Sequence, residues 1–115
     1  MKLQIEAQNL RVRIGEDELA QLLTGQSIEA RTQFADAFAM HYVLELTSTD
    51  AAAVTGSPAL WRIAIPEAQV RRHAALLPTR DGLAFVLPGA HGEGSLQLLF
   101  DVDVRDSTRR RYPRD

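Results

Sequence analysis

The sequence has 115 residues, 45% of them hydrophobic and 24% charged, with no cysteine and a formal net charge of −2. Length and composition fit a single globular domain with a core of its own. The lack of cysteine excludes a disulfide framework, a thiol nucleophile and any thiolate metal site, and no stretch approaches the roughly 18 apolar residues of a membrane span.

Charge is unevenly spread. From Arg105 onward, five arginines (Arg105, Arg109, Arg110, Arg111 and Arg114) stand against two aspartates, a surplus of +3 that leaves −5 for the rest of the chain. Twelve of the thirteen basic residues are arginine, as a GC-rich genome would give. The first residues alternate polar and apolar and lack the continuous apolar core of a signal peptide, so a cytoplasmic location is expected.

Residues 2–7 read as a half-buried strand, with Gln8-Asn9 as a turn. Leu10, Val12 and Ile14 then form the inner face of a second strand whose outer face carries Arg11 and Arg13. Glu16, Asp17 and Glu18 crowd the first turn of a short helix, where negative charge suits the positive end of the dipole. Leu19, Leu22 and Leu23 are its apolar stripe, and Gly25 ends it.

Alternation resumes over 27–34, with Ala35-Asp36-Ala37 as a hairpin connection that lacks the usual glycine. Met40, Tyr42, Leu44 and Leu46 give the core face of a long strand, with His41 and Glu45 outward. Residues 47–57 are small and polar, a loop with a weak strand around 52–55.

Trp61, Ile63 and Ile65 mark the next strand, and Pro66 stands at a helix start, where a missing N–H is harmless. Val70, Ala74 and Leu77 line that helix, His73 is expected at its surface or boundary, and Pro78 stops it. Strands follow at 83–87 and 96–104, separated by a loop over 88–94 with three glycines. Residues 106–115 have almost no apolar content and form a polar, basic tail to a domain spanning 1–105.

Ile14 aligns with Ile65, and Leu19 with Val70, both at an offset of 51. The expected fold is therefore α+β: a curved or barrel-like antiparallel sheet of seven or eight strands with two short helices, built from two approximate strand-strand-helix-strand-strand repeats. A closed sheet would also leave no exposed edges.

Chemistry-bearing residues are sparse. His41, His73 and His91 show no metal-ligand spacing. The outward carboxylates Glu29, Glu45, Asp101 and Asp103 are expected to pair across strands with Arg11, Arg13, Arg31 and Arg62. The glycine loop at 89–94 lacks the lysine and hydroxyl residue of a phosphate-binding loop, and no serine sits in a nucleophile elbow. No catalytic residue, metal or cofactor is expected. The candidates for binding an anion or nucleic acid are Arg11, Arg13, Arg31 and Arg62, with Arg109, Arg110 and Arg111 in the tail beside Tyr112.

Gln8 to Ile14 followed by Glu18-Leu19, with the acidic strand of Asp101 and Asp103 and the tail's Tyr112-Pro113, resembles a family of small uncharacterised bacterial proteins. Gln8 stands where that family favours glycine and Leu10 where it favours serine. The resemblance implies a fold and a length but no reaction. A shorter likeness, over 9–23 and over 62–77 with Asp81-Gly82 after it, is to the swapped-hairpin transition-state regulators. It implies DNA binding by strand arginines such as Arg11 and Arg13.

The first expectation is thus a non-enzymatic binding or interaction domain, with a protein partner or a second copy as its associate and no membrane. Nucleic acid is less favoured. The alternatives are a DNA-binding regulator of swapped-hairpin type and a phosphate-ligand enzyme of the triphosphate-tunnel plan. The last requires a closed sheet with its polar face inward.

Overall fold

The structure, a computed structural model, describes residues 1–89 and 94–104. Strands β1 (Lys2–Glu6) and β2 (Asn9–Gly15) form a hairpin that runs into helix α1 (Glu16–Leu23). Strands β3 (Ile28–Phe34) and β4 (Phe38–Thr47) form a second hairpin, and β5 (Ala53–Ser57) and β6 (Leu60–Pro66) a third. Helix α2 (Glu67–Ala75) follows, and β7 (Leu83–Leu87) and β8 (Leu96–Asp103) complete the chain order.

Among the described residues, the α+β class, two short helices and eight strands agree with the expectation; the arrangement of the sheet does not. There is no single curved or barrel-like sheet. The strands divide into two four-stranded sheets, ordered β1-β2-β8-β7 and β3-β4-β6-β5, and neither closes into a barrel. Nor are they wholly antiparallel, because β2 pairs with β8, and β4 with β6, in parallel.

The physical reason lies in the burial pattern. Hairpin partners are antiparallel by necessity, but each sheet joins two hairpins back to back through their most apolar strands. Parallel register sets Leu10 beside Leu98, Val12 beside Phe100 and Ile14 beside Val102. In the other sheet it sets Leu44 beside Ile63 and Leu46 beside Ile65. All but Leu46 of these are buried, and together they make most of the core.

The helices tie the sheets together. Helix α1 touches β2 and β8 of one sheet and β3 of the other, while α2 touches β6 and β7. The first turn of α1 is acidic, and the Glu18 carboxylate accepts the Gly15 N–H at 3.0 Å, capping the helix start. Leu19 and Leu22 fill its buried face, and Gly25 ends it with φ +93°. Arg71 of α2 donates through Nη2 to the Leu23 carbonyl at 2.9 Å, satisfying an orphan acceptor at the end of α1.

Pro66 lies at the cap of α2, one residue ahead of the helix. The buried face of α2 carries Val70 and, against expectation, His73, which is 6% exposed. At three residues beyond Val70, His73 shares its helical face. One turn and one strand also differ from the sequence reading. The first hairpin turns at Ala7-Gln8, so β1 pairs Lys2 with Arg13 and Glu6 with Asn9. The weak strand is β5, a full partner of β6.

Candidate anion-binding site

Period-two alternation sends Arg11 and Arg13 to the face of β2 opposite its core residues. Asp101 projects from the same face of β8, since Arg13 and Asp101 are register partners. Asp101 is 7% exposed, and its carboxylate is shared by both arginines. Arg11 donates to Oδ2 through Nε at 3.0 Å and also through Nη2, while Arg13 donates to Oδ1 through Nε at 3.2 Å. Gly82 lies beside this group: a Cβ there would come within 2.8 Å of the Phe100 carbonyl and 3.2 Å of the Asp101 Cβ. The close approach of β7 to β8 at Asp101 thus relies on a residue without a side chain.

The arginines extend from Asp101 toward a cavity of about 420 Å³. Among the described residues its lining includes Lys2, Gln4, Arg11, Arg13 and the buried Tyr42, and no carboxylate. Two guanidiniums thus share one buried carboxylate, which engages only part of their donor capacity because each carries five N–H groups, and Lys2 lines the cavity beside them. A shallower groove of about 670 Å³ adjoins it through Gln4 and Arg11 and runs past Glu6, Asn9 and Gln97. Side by side and held by a common carboxylate, two guanidiniums can present parallel N–H groups to a phosphate or carboxylate.

The other sheet carries a reduced version of this arrangement. Arg62 donates to Glu45 Oε2 at 3.2 Å, along the same diagonal that Arg11 follows to Asp101. Where Arg13 faces Asp101, however, Ala64 faces Glu45, so a single arginine meets that carboxylate. Arg31 donates to Gln33 Oε1 at 3.0 Å.

The four strand arginines are thus divided between two sheets and do not form one basic face. The expected cross-strand pairing is present for Asp101 and Glu45. Arg109, Arg110 and Arg111, and His91 in the glycine loop, lie outside the described residues. Lys2 and Tyr42 are site residues that the sequence reading did not single out. Lys2 enters because it pairs with Arg13 in the first hairpin.

The tunnel-enzyme reading loses its premise, since the sheets are open and turn their apolar faces inward. Among the described residues, no three His, Asp or Glu side chains converge as a metal site would need, and no helix is long and apolar enough to cross a membrane.

Comparison with known proteins agrees with the sequence resemblance to a small uncharacterised family. No curated protein and no solved structure matches the chain. A family model, that of a family of unknown function designated DUF7009, matches residues 1–105, and the chain belongs to that family.

Proposed function

We propose that this domain is a non-enzymatic binding module whose ligand presents a phosphate or carboxylate to the cavity formed by Lys2, Arg11 and Arg13. The observation that carries this reading is the sharing of one buried carboxylate, Asp101, by two guanidiniums that line a cavity together with a lysine. Asp101 orients the arginines by accepting from both of them. The most deeply buried carboxylate of this face is thereby engaged by arginines, as suits a structural role better than acid–base work. A cytoplasmic location belongs to the same proposal and is supported by the cysteine-free composition.

The test is a titration with inorganic phosphate, and separately with pyrophosphate, followed by the NMR signals of the arginine Nε–Hε groups. Saturable shifts are expected at Arg11 and Arg13, weakening as ionic strength rises. They should vanish in Arg13→Ala and persist in Arg62→Ala. Shifts that do not saturate, or that Arg62→Ala removes equally, would refute the reading.

A second reading, the DNA-binding regulator of swapped-hairpin type, is favoured by the exchange of hairpins between sheets. We infer that the chain is an internal repeat in which the first hairpin of each half joins the second hairpin of the other. Support comes from the matching strand orders and from the common diagonal of the Arg11–Asp101 and Arg62–Glu45 pairs. Fluorescence anisotropy with labelled duplex DNA separates the two readings. Binding that falls equally in Arg11→Ala and Arg62→Ala would favour the regulator.

A further inference from the structure

Strand β1 is an edge of its sheet, paired with β2 on one side and with no other strand among the described residues. Four of its five residues are exposed, including Ile5 at 67%. Edge strands of this kind are templates for pairing and are normally blunted by charge, proline or a bulge. Here the charges stand only at the ends, Lys2 and Glu6, with opposite sign, and the apolar Leu3 and Ile5 flank Gln4 at the centre.

Such a strand is its own antiparallel complement. Setting Gln4 opposite Gln4 of a second copy sets Leu3 opposite Ile5 and Lys2 opposite Glu6, twice over, with every pair on a common face. The backbone phase agrees. In a two-residue hairpin the closing pair, Glu6 and Asn9, exchanges hydrogen bonds, so alternate residues Lys2 and Gln4 turn their peptide groups toward β2. Leu3 and Ile5 turn theirs to the open edge, which are the groups this register joins.

Among the described residues no other edge is complementary in this way. Strands β5 and β7 carry no charge to fix a register, and turning β3 about Arg31 sets Glu29 opposite Gln33. We propose that two copies of this chain associate through antiparallel β1–β1 pairing centred on Gln4, forming a continuous eight-stranded sheet.

The arrangement has a consequence for the anion site, although it does not depend on that reading. Gln4 is the register partner of Arg11, so the two Arg11 residues fall on one row and one face of the joined sheet. Three strand spacings separate them, about 14 Å.

Sedimentation velocity of the full chain tests the pairing, with Lys2→Glu, Glu6→Lys and the double exchange Lys2→Glu/Glu6→Lys. Each single reversal places like charges at both end contacts and is expected to raise the dimer dissociation constant roughly tenfold. The double exchange is expected to restore it. A chain monomeric at every concentration, or a dimer indifferent to the single reversals, overturns the proposal.

Because the chain contains no cysteine, engineered thiols give an independent measurement. Gln4→Cys places two sulfurs across the axis at a spacing a disulfide accepts, whereas Val86→Cys lies on the opposite edge of the sheet. Under mild oxidation Gln4→Cys is expected to yield a covalent dimer and Val86→Cys is not. Cross-linking of Val86→Cys in preference to Gln4→Cys would refute β1 pairing.

Discussion

Replacing Asp101 by alanine removes the acceptor that two guanidiniums share. Arg11 and Arg13 would then sit side by side with like charge and no shared acceptor. Truncating one partner of a fully buried pair costs about 3–5 kcal/mol, whereas exposed pairs contribute about 0–1. Asp101 is buried but its arginines are about two-fifths exposed, so solvent screens part of the repulsion. Asp101→Ala is expected to lower stability by about 1–2 kcal/mol, read from urea denaturation.

Glycine positions separate backbone cost from steric cost at the same scale. Gly56 has φ +106°, and a Cβ there would meet the Leu60 carbonyl at 2.5 Å. Gly25 has φ +93° with nothing within 4 Å. Gly25→Ala should therefore cost only the left-handed penalty, about 1–2 kcal/mol. Gly56→Ala should exceed it measurably in parallel urea denaturations, because β5 and β6 must separate to admit the methyl. Ala35 sits at φ +52° in the β3–β4 connection, which explains how that hairpin closes without glycine.

At the scale of elements, alternation and capping residues revealed where strands and helices lie, because each depends on neighbours a few positions away. Leu10, Val12 and Ile14 announce a strand with one buried face, and Glu16 to Glu18 announce a helix start. Pairing was not legible in the same way. An alternating strand packs its apolar face equally well in either direction, so nothing local marks β2 and β8 as parallel neighbours.

Turn position was the finer obstacle. A turn at Gln8-Asn9 would pair Arg13 with Gln4, whereas the turn at Ala7-Gln8 pairs it with Lys2. One residue at the turn thus moves the cross-strand partner by two, and with it the lysine of the candidate site. The arginines and Asp101 were readable as polar-face residues. Their convergence on one carboxylate was not, because it requires strands 90 and 88 positions apart in the chain to lie side by side.

Helix α2 holds the least expected element-scale feature. The His73 imidazole is buried, and its Nε2 has no hydrogen-bond partner among the described residues. The residue 51 positions earlier, on the matching face of α1, is the fully buried Leu22. A buried polar atom without a partner costs about 1–3 kcal/mol, and leucine is close to histidine in volume. His73→Leu is accordingly expected to stabilise the fold by about 1 kcal/mol, seen as a higher thermal midpoint. A lower midpoint would mean that the imidazole makes contacts leucine cannot replace.

At the scale of the whole molecule, we propose that the domain spans residues 1–105 and that 106–115 form a tail. Among the described residues, every buried core residue lies between Leu10 and Val102, and the family match ends at residue 105. Beyond it the sequence offers charge and little apolar surface, so these residues have little hydrophobic free energy to contribute to folding. Strand β8, by contrast, lies between β2 and β7 and supplies Leu98, Phe100 and Val102 to the core. Its loss would remove a central strand and, with Asp101, the anchor of the candidate site.

Ending the chain at Arg105 is therefore expected to leave the urea midpoint unchanged, within about 0.5 kcal/mol, and to leave the phosphate-induced shifts at Arg11 and Arg13 in place. Ending it at Ser95 is expected to abolish cooperative unfolding altogether. If the first truncation lowered stability by more than that margin, residues 106–115 would belong to the folded unit. If it preserved stability but removed phosphate binding, the tail arginines, and not the clamp at Asp101, would be the seat of anion recognition.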